Sequence, residues 1–426
     1  MRKIFSWKKE WTSILILFLF FRLLYSLLGV TSTSRPDPVP LAGGPVYQAA
    51  AALLKTDPVS HVLVNIWFRW DTVWYLKIAA SGFNSQDGSI AFMPLYPWLV
   101  RGLGALIGNA LLAALILSNL ACLAALLLFY EVALFEVRDR DIAFWGTFFL
   151  ACFPTSFFLF AAYTDSLFLA LTLAAWLFSR SGKWLSAGLF ASLATLCRLQ
   201  GALLGLVLLW SFLAEDGVEK LPIIHAGGSK PQGTETGETV INTRVAFFMV
   251  RSLKKLKKPG WLAALLPVLT FAGYALWLGW ARLGSIPAAL ETHWGIFTVM
   301  PWTGFGLFLQ RLVSTPRVFI DFIDLSLLVL MLILLFIGVF RLNSTLSFYS
   351  VLTLALFFMR GTPPHLLDSF SRYFLTLFPA FILLALMAAK NAASLKNRIL
   401  RVSLLSISIG LQIFLLMGFL DWRWIA

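Results

Sequence analysis

Charge is what this sequence has least of. Only 13% of its 426 residues are charged, against about 25% in an ordinary soluble domain. Meanwhile 59% are apolar or aromatic. A soluble fold of this length could not bury that much apolar surface, so the composition requires an all-α polytopic membrane protein. Cysteine is scarce as well. Cys122, Cys152 and Cys197 each lie inside an apolar run, which excludes a secreted scaffold built on disulfides. There is no P-loop, no GxSxG and no HExxH, and His61, His225, His293 and His365 are scattered. No nucleotide or metal site can therefore be read, and no cofactor is expected, with a divalent metal left open.

What is present is an excess of positive charge, 34 Lys and Arg against 20 Asp and Glu, for a net +14. In a membrane protein this reports topology rather than a nucleic-acid partner, because cytoplasmic loops carry the Lys/Arg excess. Arg2, Lys3, Lys8 and Lys9 precede a first span over Trp11–Val30, which has no small-residue cleavage site, and place the N-terminus inside. The next stretch, 31–90, balances four basic residues against four acidic ones and reads as a large outward loop. Pro94, Pro97 and Arg101 make 91–108 an interfacial helix rather than a span.

Further spans are expected at 109–136, 142–162 and 166–178. The 30 residues 184–213 read either as two short helices broken at Arg198-Leu199-Gln200-Gly201 or as one long tilted helix. A polar loop over 215–258 ends in RSLKKLKK and belongs beside an anionic inner leaflet. Spans at about 260–282, 318–340, 345–359, 373–389 and 400–420 bring the count to eleven, with the C-terminus outside. The expected division is an N-terminal catalytic membrane module (1–214), the basic cytoplasmic loop (215–258) and C-terminal helices completing a cavity (259–426).

This topology pools five polar clusters on the outer side: RWDTVWY (69–75), YTDS (163–166), RLQG (198–201), GTPPHLLDSFSRY (361–373) and DWRW (421–424). Polar residues gathered at one interface of a membrane protein suggest a cavity there. Asp71, between Trp70 and Trp74, is either a general base toward a hydroxyl or one half of an ion pair with Arg69 or Lys77 that pins the loop. Thr164 and Asp165 either cap the helix that follows or face the cavity. Arg198 and Arg372 either snorkel to headgroups or offer a guanidinium fork to a phosphate, with Tyr373 beside the second. Arg69, Trp70, Trp74, Tyr75, Tyr163, Asp165, Gln200 and His365 complete the candidate cavity.

Taken in order, RWDTVWYLKIAASGF (69–83), AFMPLYP (91–97), FPTSFFLFAAYTDSLF (153–168), LATLCRLQG (193–201), SRYFLTLFPAFILLA (371–385) and GFLDWRWIA (418–426) resemble the PIG-V type of mannosyltransferase within the GT-C superfamily, in a bacterial relative. The resemblance implies a GT-C fold and transfer of a hexose, mannose by analogy, from a polyprenyl-phosphate sugar to a lipid- or glycan-linked hydroxyl. It implies an active site on the extracytoplasmic face of the cell membrane, and it carries the acidic residue of the first outer loop over to Asp71. Inversion by direct displacement is the mechanism expected, with Arg198 and Arg372 stabilising the departing phosphate. The partners implied are the lipid-linked donor, the acceptor and membrane lipids, for a monomeric protein. A transporter or flippase of lipid-linked saccharides is the rival class. It would explain spans and buried arginines, but not the 60-residue outer loop with its aromatic-flanked aspartate or the lack of repeat symmetry.

Overall fold

The structure, a computed structural model, describes residues 9–32, 44–214, 259–314, 319–361, 369–389, 395–423 and 425. The basic loop expected over 215–258 and His365 lie outside the described residues. The helices are α1 (Lys9–Ser32), α2 (Pro45–Ala51), α3 (Pro58–Leu63), α4 (Asp71–Ser81), α5 (Leu95–Ile107), α6 (Ala110–Val137), α7 (Arg140–Ala151), α8 (Asp165–Arg180), α9 (Trp184–Cys197) and α10 (Leu204–Ala214). There follow α11 (Leu265–Trp280), α12 (Ile286–Trp294), α13 (Pro301–Ser314), α14 (Phe319–Arg341), α15 (Ser344–Phe358), α16 (Phe370–Tyr373), α17 (Phe378–Ala389) and α18 (Leu395–Leu420). Two short antiparallel strands, β1 (Phe297–Thr298) and β2 (Arg360–Gly361), pair Thr298 with Arg360.

Five of the described helical stretches are long and apolar enough to cross a membrane: 9–31, 110–137, 259–280, 319–341 and 401–420. A sixth is possible if 370–388, bent by 79° at its break, counts as one span. The protein is an integral membrane protein, but the eleven expected spans are not eleven long helices. Several are short apolar pieces, among them α9, α15 and the stretch 199–214. Side-chain caps set the starts of several helices. Asn109 accepts from the Leu112 amide at 3.0 Å, Asp139 from Asp141 and Ile142, and Asn343 from Leu346. Each satisfies amides that the helix itself leaves orphaned.

The expected span 142–162 takes a different form. Helix α7 stops at Ala151, and the chain then runs through Pro154 and a 3₁₀ turn (Ser156–Leu159) before α8 begins. Pro154 supplies no amide and breaks the ladder. Every residue from 149 to 166 is buried, so the freed carbonyls need partners inside the protein. They find them on five side chains from three other helices. Gln412 donates to Ala151 and Phe153, Ser408 to Cys152, Asn119 to Phe160, Thr72 to Ala162 and Ser118 to Tyr163. The segment thereby becomes the hub against which α4, α6 and α18 are registered.

The break inside 184–213 is as the sequence suggests. α9 ends at Cys197, Arg198 is extended, and a 3₁₀ turn (Leu199–Leu203) leads into α10. Gly201 is required here, because a Cβ on it would collide with the backbone of Ala194 and Thr195. The 370–388 segment breaks similarly, at Leu377 before Pro379, and its freed Thr376 carbonyl accepts from Tyr349 Oη at 2.6 Å. The first break points Arg198 at Asp165, at the end of the hub.

Candidate active site

Helix α4 starts at Asp71, after Trp70 turns the chain with φ at +48°. A non-glycine residue there costs about 1–3 kcal/mol, and packing holds it: the Trp70 ring lies 5.7 Å from that of Trp422. The first turn of α4 is then fastened to the hub. The Asp71 amide donates to Tyr163 Oη at 3.2 Å, Thr72 Oγ1 to the Ala162 carbonyl at 3.3 Å, and Tyr75 Oη sits 3.2 Å from Thr164 Oγ1. Burial, and then the Asp71 charge, push the Tyr75 phenol above its ordinary range, so it remains a hydroxyl. The carboxylate of Asp71 also sits at the positive end of the helix dipole.

Asp71 meets neither Arg69 nor Lys77, the local partners its spacing allowed. Arg69 Nε donates to the Leu420 carbonyl at 2.8 Å and its guanidinium lies 5.0 Å from the Trp422 ring. Lys77 pairs with Asp87 at 2.5 Å. Instead, Arg372 Nη1 reaches Asp71 Oδ2 at 2.7 Å from 301 residues away. The same guanidinium binds Asp165, with Nε 3.0 Å and Nη2 2.9 Å from Oδ2. Arg198 Nη1 closes on Asp165 Oδ1 at 2.8 Å. Four charges from four separate segments thus alternate in a row: Asp71, Arg372, Asp165, Arg198.

The row is graded in exposure. The Asp165 side chain is 1% exposed and that of Arg372 5%, whereas Asp71 retains 27%. A buried charge is costly unless paired, and Asp165 is paired twice. Thr164 makes no side-chain cap bond, so capping does not account for the Thr164-Asp165 pair. Snorkelling does not account for Arg198 or Arg372, since both turn to Asp165 rather than to headgroups. Aromatic faces complete the setting: Arg372 lies 4.4 Å from the Tyr163 ring and 5.1 Å from Phe158, a cation–π arrangement strengthened by desolvation.

Tyr373 stands at the far end. Its ring is 5.4 Å from the Arg198 guanidinium and 5.5 Å from that of Arg360, and its hydroxyl accepts from Arg360 Nη1 at 3.1 Å. The other candidates lie around this core. Trp74 packs on Phe92 and Trp294 at 5.7 and 5.2 Å, forming an aromatic wall one turn along α4 from Asp71. Gln200 lies in the α9–α10 break, its Oε1 buried with no hydrogen bond among the described residues. Among the described residues no contact brings Gln200 onto the charged row. Asp421 and Trp422 join through the Arg69–Leu420 bond and the Trp70–Trp422 contact. All five polar clusters therefore converge, apart from 362–368, which lies outside the described residues. Sequence reasoning missed Arg360, which sits just before the 361–373 cluster, and Phe158, which carries no polar signal. Among the described residues no group of three or more His, Cys, Asp or Glu could hold a metal ion.

A carboxylate partly open to solvent, held at one end of a row of guanidiniums, can take a proton from a hydroxyl while an anion is held beside it. Residues 9–211 match the family model described as Mannosyltransferase (PIG-V). That stretch contains Asp71, Asp165 and Arg198 and ends before Arg360, Arg372 and Tyr373. No curated protein matches the chain. Among solved structures, the chain is similar to an Archaeoglobus fulgidus oligosaccharyltransferase tethered with an acceptor peptide. The identity is 12% and the TM-score 0.44, over 95% of this chain and 55% of that one. The chain thus spans little more than half the length of that enzyme. It is also similar to ArnT from Cupriavidus metallidurans, bound to undecaprenyl phosphate, at 13% identity and TM-score 0.46, over 96% of this chain and 76% of that one.

Proposed function

We propose that this chain, whose residues 9–211 match the Mannosyltransferase (PIG-V) model, is a membrane glycosyltransferase that transfers a hexose from a polyprenyl-phosphate sugar to an acceptor hydroxyl. The observation that carries the reading is the alternating row Asp71, Arg372, Asp165, Arg198. It puts a partly open carboxylate and anion-binding guanidiniums in one site, which is the pair of functions that phosphate displacement by an alcohol demands.

In this reading Asp71 is the general base. Its Oδ2 is held by Arg372, while Oδ1 accepts no hydrogen bond among the described residues and is the atom that takes the acceptor's proton. The acceptor oxygen bonds to the anomeric carbon as the carbon–oxygen bond to the lipid phosphate breaks. The bonding pair leaves with the phosphate, so the configuration inverts in one displacement. Arg198, Arg372 and Tyr373 form the donor-phosphate side, where fixed positive charge offsets the charge that develops on the leaving group. Arg372 has Nε, Nη1 and Nη2 committed to carboxylates, so it contributes mainly charge and the orientation of Asp71. Mannose as the sugar, a lipid or glycan as the acceptor, and the extracytoplasmic face as the place of reaction follow the resemblance and the basic-loop asymmetry.

The test is transfer by purified protein from synthetic polyprenyl-phosphate hexoses, several sugars being offered with a panel of lipid and glycan acceptors. Inverted product from one donor supports the proposal. Movement of the lipid-linked sugar across a vesicle membrane without glycosidic bond formation overturns it in favour of a transporter.

A further inference from the structure

Helix α1 carries, at membrane depth, a charge that the protein does not neutralise. Arg22 lies past the middle of this span, and Glu10, the sole acidic residue of the helix, is at the opposite end. Arg22 Nη1 is buried with no hydrogen-bond partner among the described residues, and no carboxylate there pairs with the guanidinium. An ionised side chain at this depth is costly without an opposite charge.

The guanidinium is nonetheless held in place. It lies 5.5 Å from the ring centroid of the buried Trp67, a cation–π contact that strengthens where water is excluded. Trp67 closes the 3₁₀ turn Asn65–Trp67 of the first outer loop. That turn comes down on α1 because Gly29 leaves it room: a Cβ there would strike the Ile66 side chain. About two turns of helix separate Gly29 from Arg22, so the loop follows the outer stretch of α1. Tyr25, whose hydroxyl also has no partner among the described residues, turns instead into the hub, its ring 5.0 Å from that of Phe160. Arg22 itself is half-buried, at the edge of the face that exposes Leu19, Phe20, Leu23 and Leu27. On a spanning helix that apolar face meets lipid, so the guanidinium stands at the seam between lipid and protein.

We propose that Arg22, backed by Trp67, binds the phosphate of an anionic phospholipid of the bilayer, and that the bound lipid fastens the first outer loop to α1. The inference stands apart from the glycosyl-transfer reading, since it concerns neither donor nor acceptor. A guanidinium fork matches a pair of phosphate oxygens, and the Trp67 ring fixes the plane of the fork. A phosphodiester with one negative charge neutralises the single cation. A choline headgroup would bring a second cation, which no acidic side chain on this stretch of α1 could receive. The effect reaches the charged row through the chain itself, because Asp71, which starts α4, follows Trp67 by four residues.

The experiment titrates the full-length protein in detergent with phosphatidylglycerol, phosphatidylcholine, diacylglycerol and undecaprenyl phosphate. Phenylglyoxal modification of Arg22, read by mass spectrometry, should slow with phosphatidylglycerol and not with diacylglycerol, and less with phosphatidylcholine or undecaprenyl phosphate. Hydrogen exchange of amides 65–71 should slow with phosphatidylglycerol as well. Arg22→Gln should need about tenfold or more phosphatidylglycerol for the same protection of that loop, in line with a lost charge-assisted hydrogen bond, and Arg22→Lys should fall between the two. Equal modification of Arg22 with phosphatidylglycerol and diacylglycerol overturns the site, as does undiminished loop protection in a folded Arg22→Gln protein. Stronger shielding of Arg22 by phosphatidylcholine or by undecaprenyl phosphate overturns its assignment to an anionic phospholipid. None of these readouts involves sugar transfer, so their failure leaves the transfer reading where it stands.

Discussion

Arg372 stands between Asp71 and Asp165 and divides their roles. It is 2.7 Å from Oδ2 of the first and 2.9 Å from Oδ2 of the second. Asp165 is buried between two guanidiniums and is fully spent on them. Asp71 has one cation and a partly open face. The two carboxylates should therefore respond differently to removal.

Asp71→Asn keeps shape and removes the base, and Arg372 keeps Asp165 as its partner. Turnover per folded molecule should fall by about 10²–10⁴-fold, while thermal stability in detergent changes little. Arg69→Ala gives the comparison. It removes the bond to the Leu420 carbonyl and the contact with Trp422, so it should lower the unfolding temperature. If Asp71→Asn retains more than a tenth of wild-type turnover, Asp71 is not the base.

Asp165→Ala strands Arg198 and Arg372 without their shared carboxylate. Breaking a buried pair in this way costs about 3–5 kcal/mol, so the folded fraction should drop sharply on a thermal unfolding curve. An unfolding temperature equal to wild type would mean that the row is not held together by Asp165.

At the other end of the bundle, Glu136 on α6 ties together α8 and the start of α15. It accepts from Trp176 Nε1 at 2.9 Å on α8, from Arg180 Nε at 2.9 Å and from Asn343 at the start of α15. Glu136→Ala should cost about 1.5–3 kcal/mol, seen as a lower unfolding temperature. Turnover per folded molecule should remain near wild type, because no contact among the described residues links Glu136 to the charged row. A selective loss of turnover with unchanged stability would contradict this.

Membrane orientation has its own check. A cysteine replacing Ser285, exposed at the start of α12, should react with an impermeant thiol reagent on intact cells. A cysteine replacing Ser229 should react only after permeabilisation. Labelling of position 229 from outside would invert the topology and move the charged row to the cytoplasmic face.

Much of this site was legible without a structure, for one physical reason. A charged residue inside an apolar stretch is so costly that it must have a purpose, which singles out Asp71, Asp165, Arg198 and Arg372. The break at Arg198–Gly201 was legible too, from a length no single span needs. What hydropathy along one dimension cannot report is which charge meets which. It left Asp71 open to Arg69 and Lys77, the nearest in sequence, and the partner proved to be 301 residues away. Nor could it show that 152–164 abandons helix. An apolar run reads alike as a span or as an irregular hub, and only Gln412, Ser408, Asn119, Ser118 and Thr72, arriving from three other helices, make the second tolerable by satisfying its carbonyls. Arg360 went unread because one dimension shows neither its bond to Tyr373 nor its strand pairing with Thr298. Composition and charge asymmetry determined the membrane, the helices and the short list of residues. The tertiary structure decided their pairing, because ion pairs form where broken helices converge, and that convergence is set by packing across the whole chain.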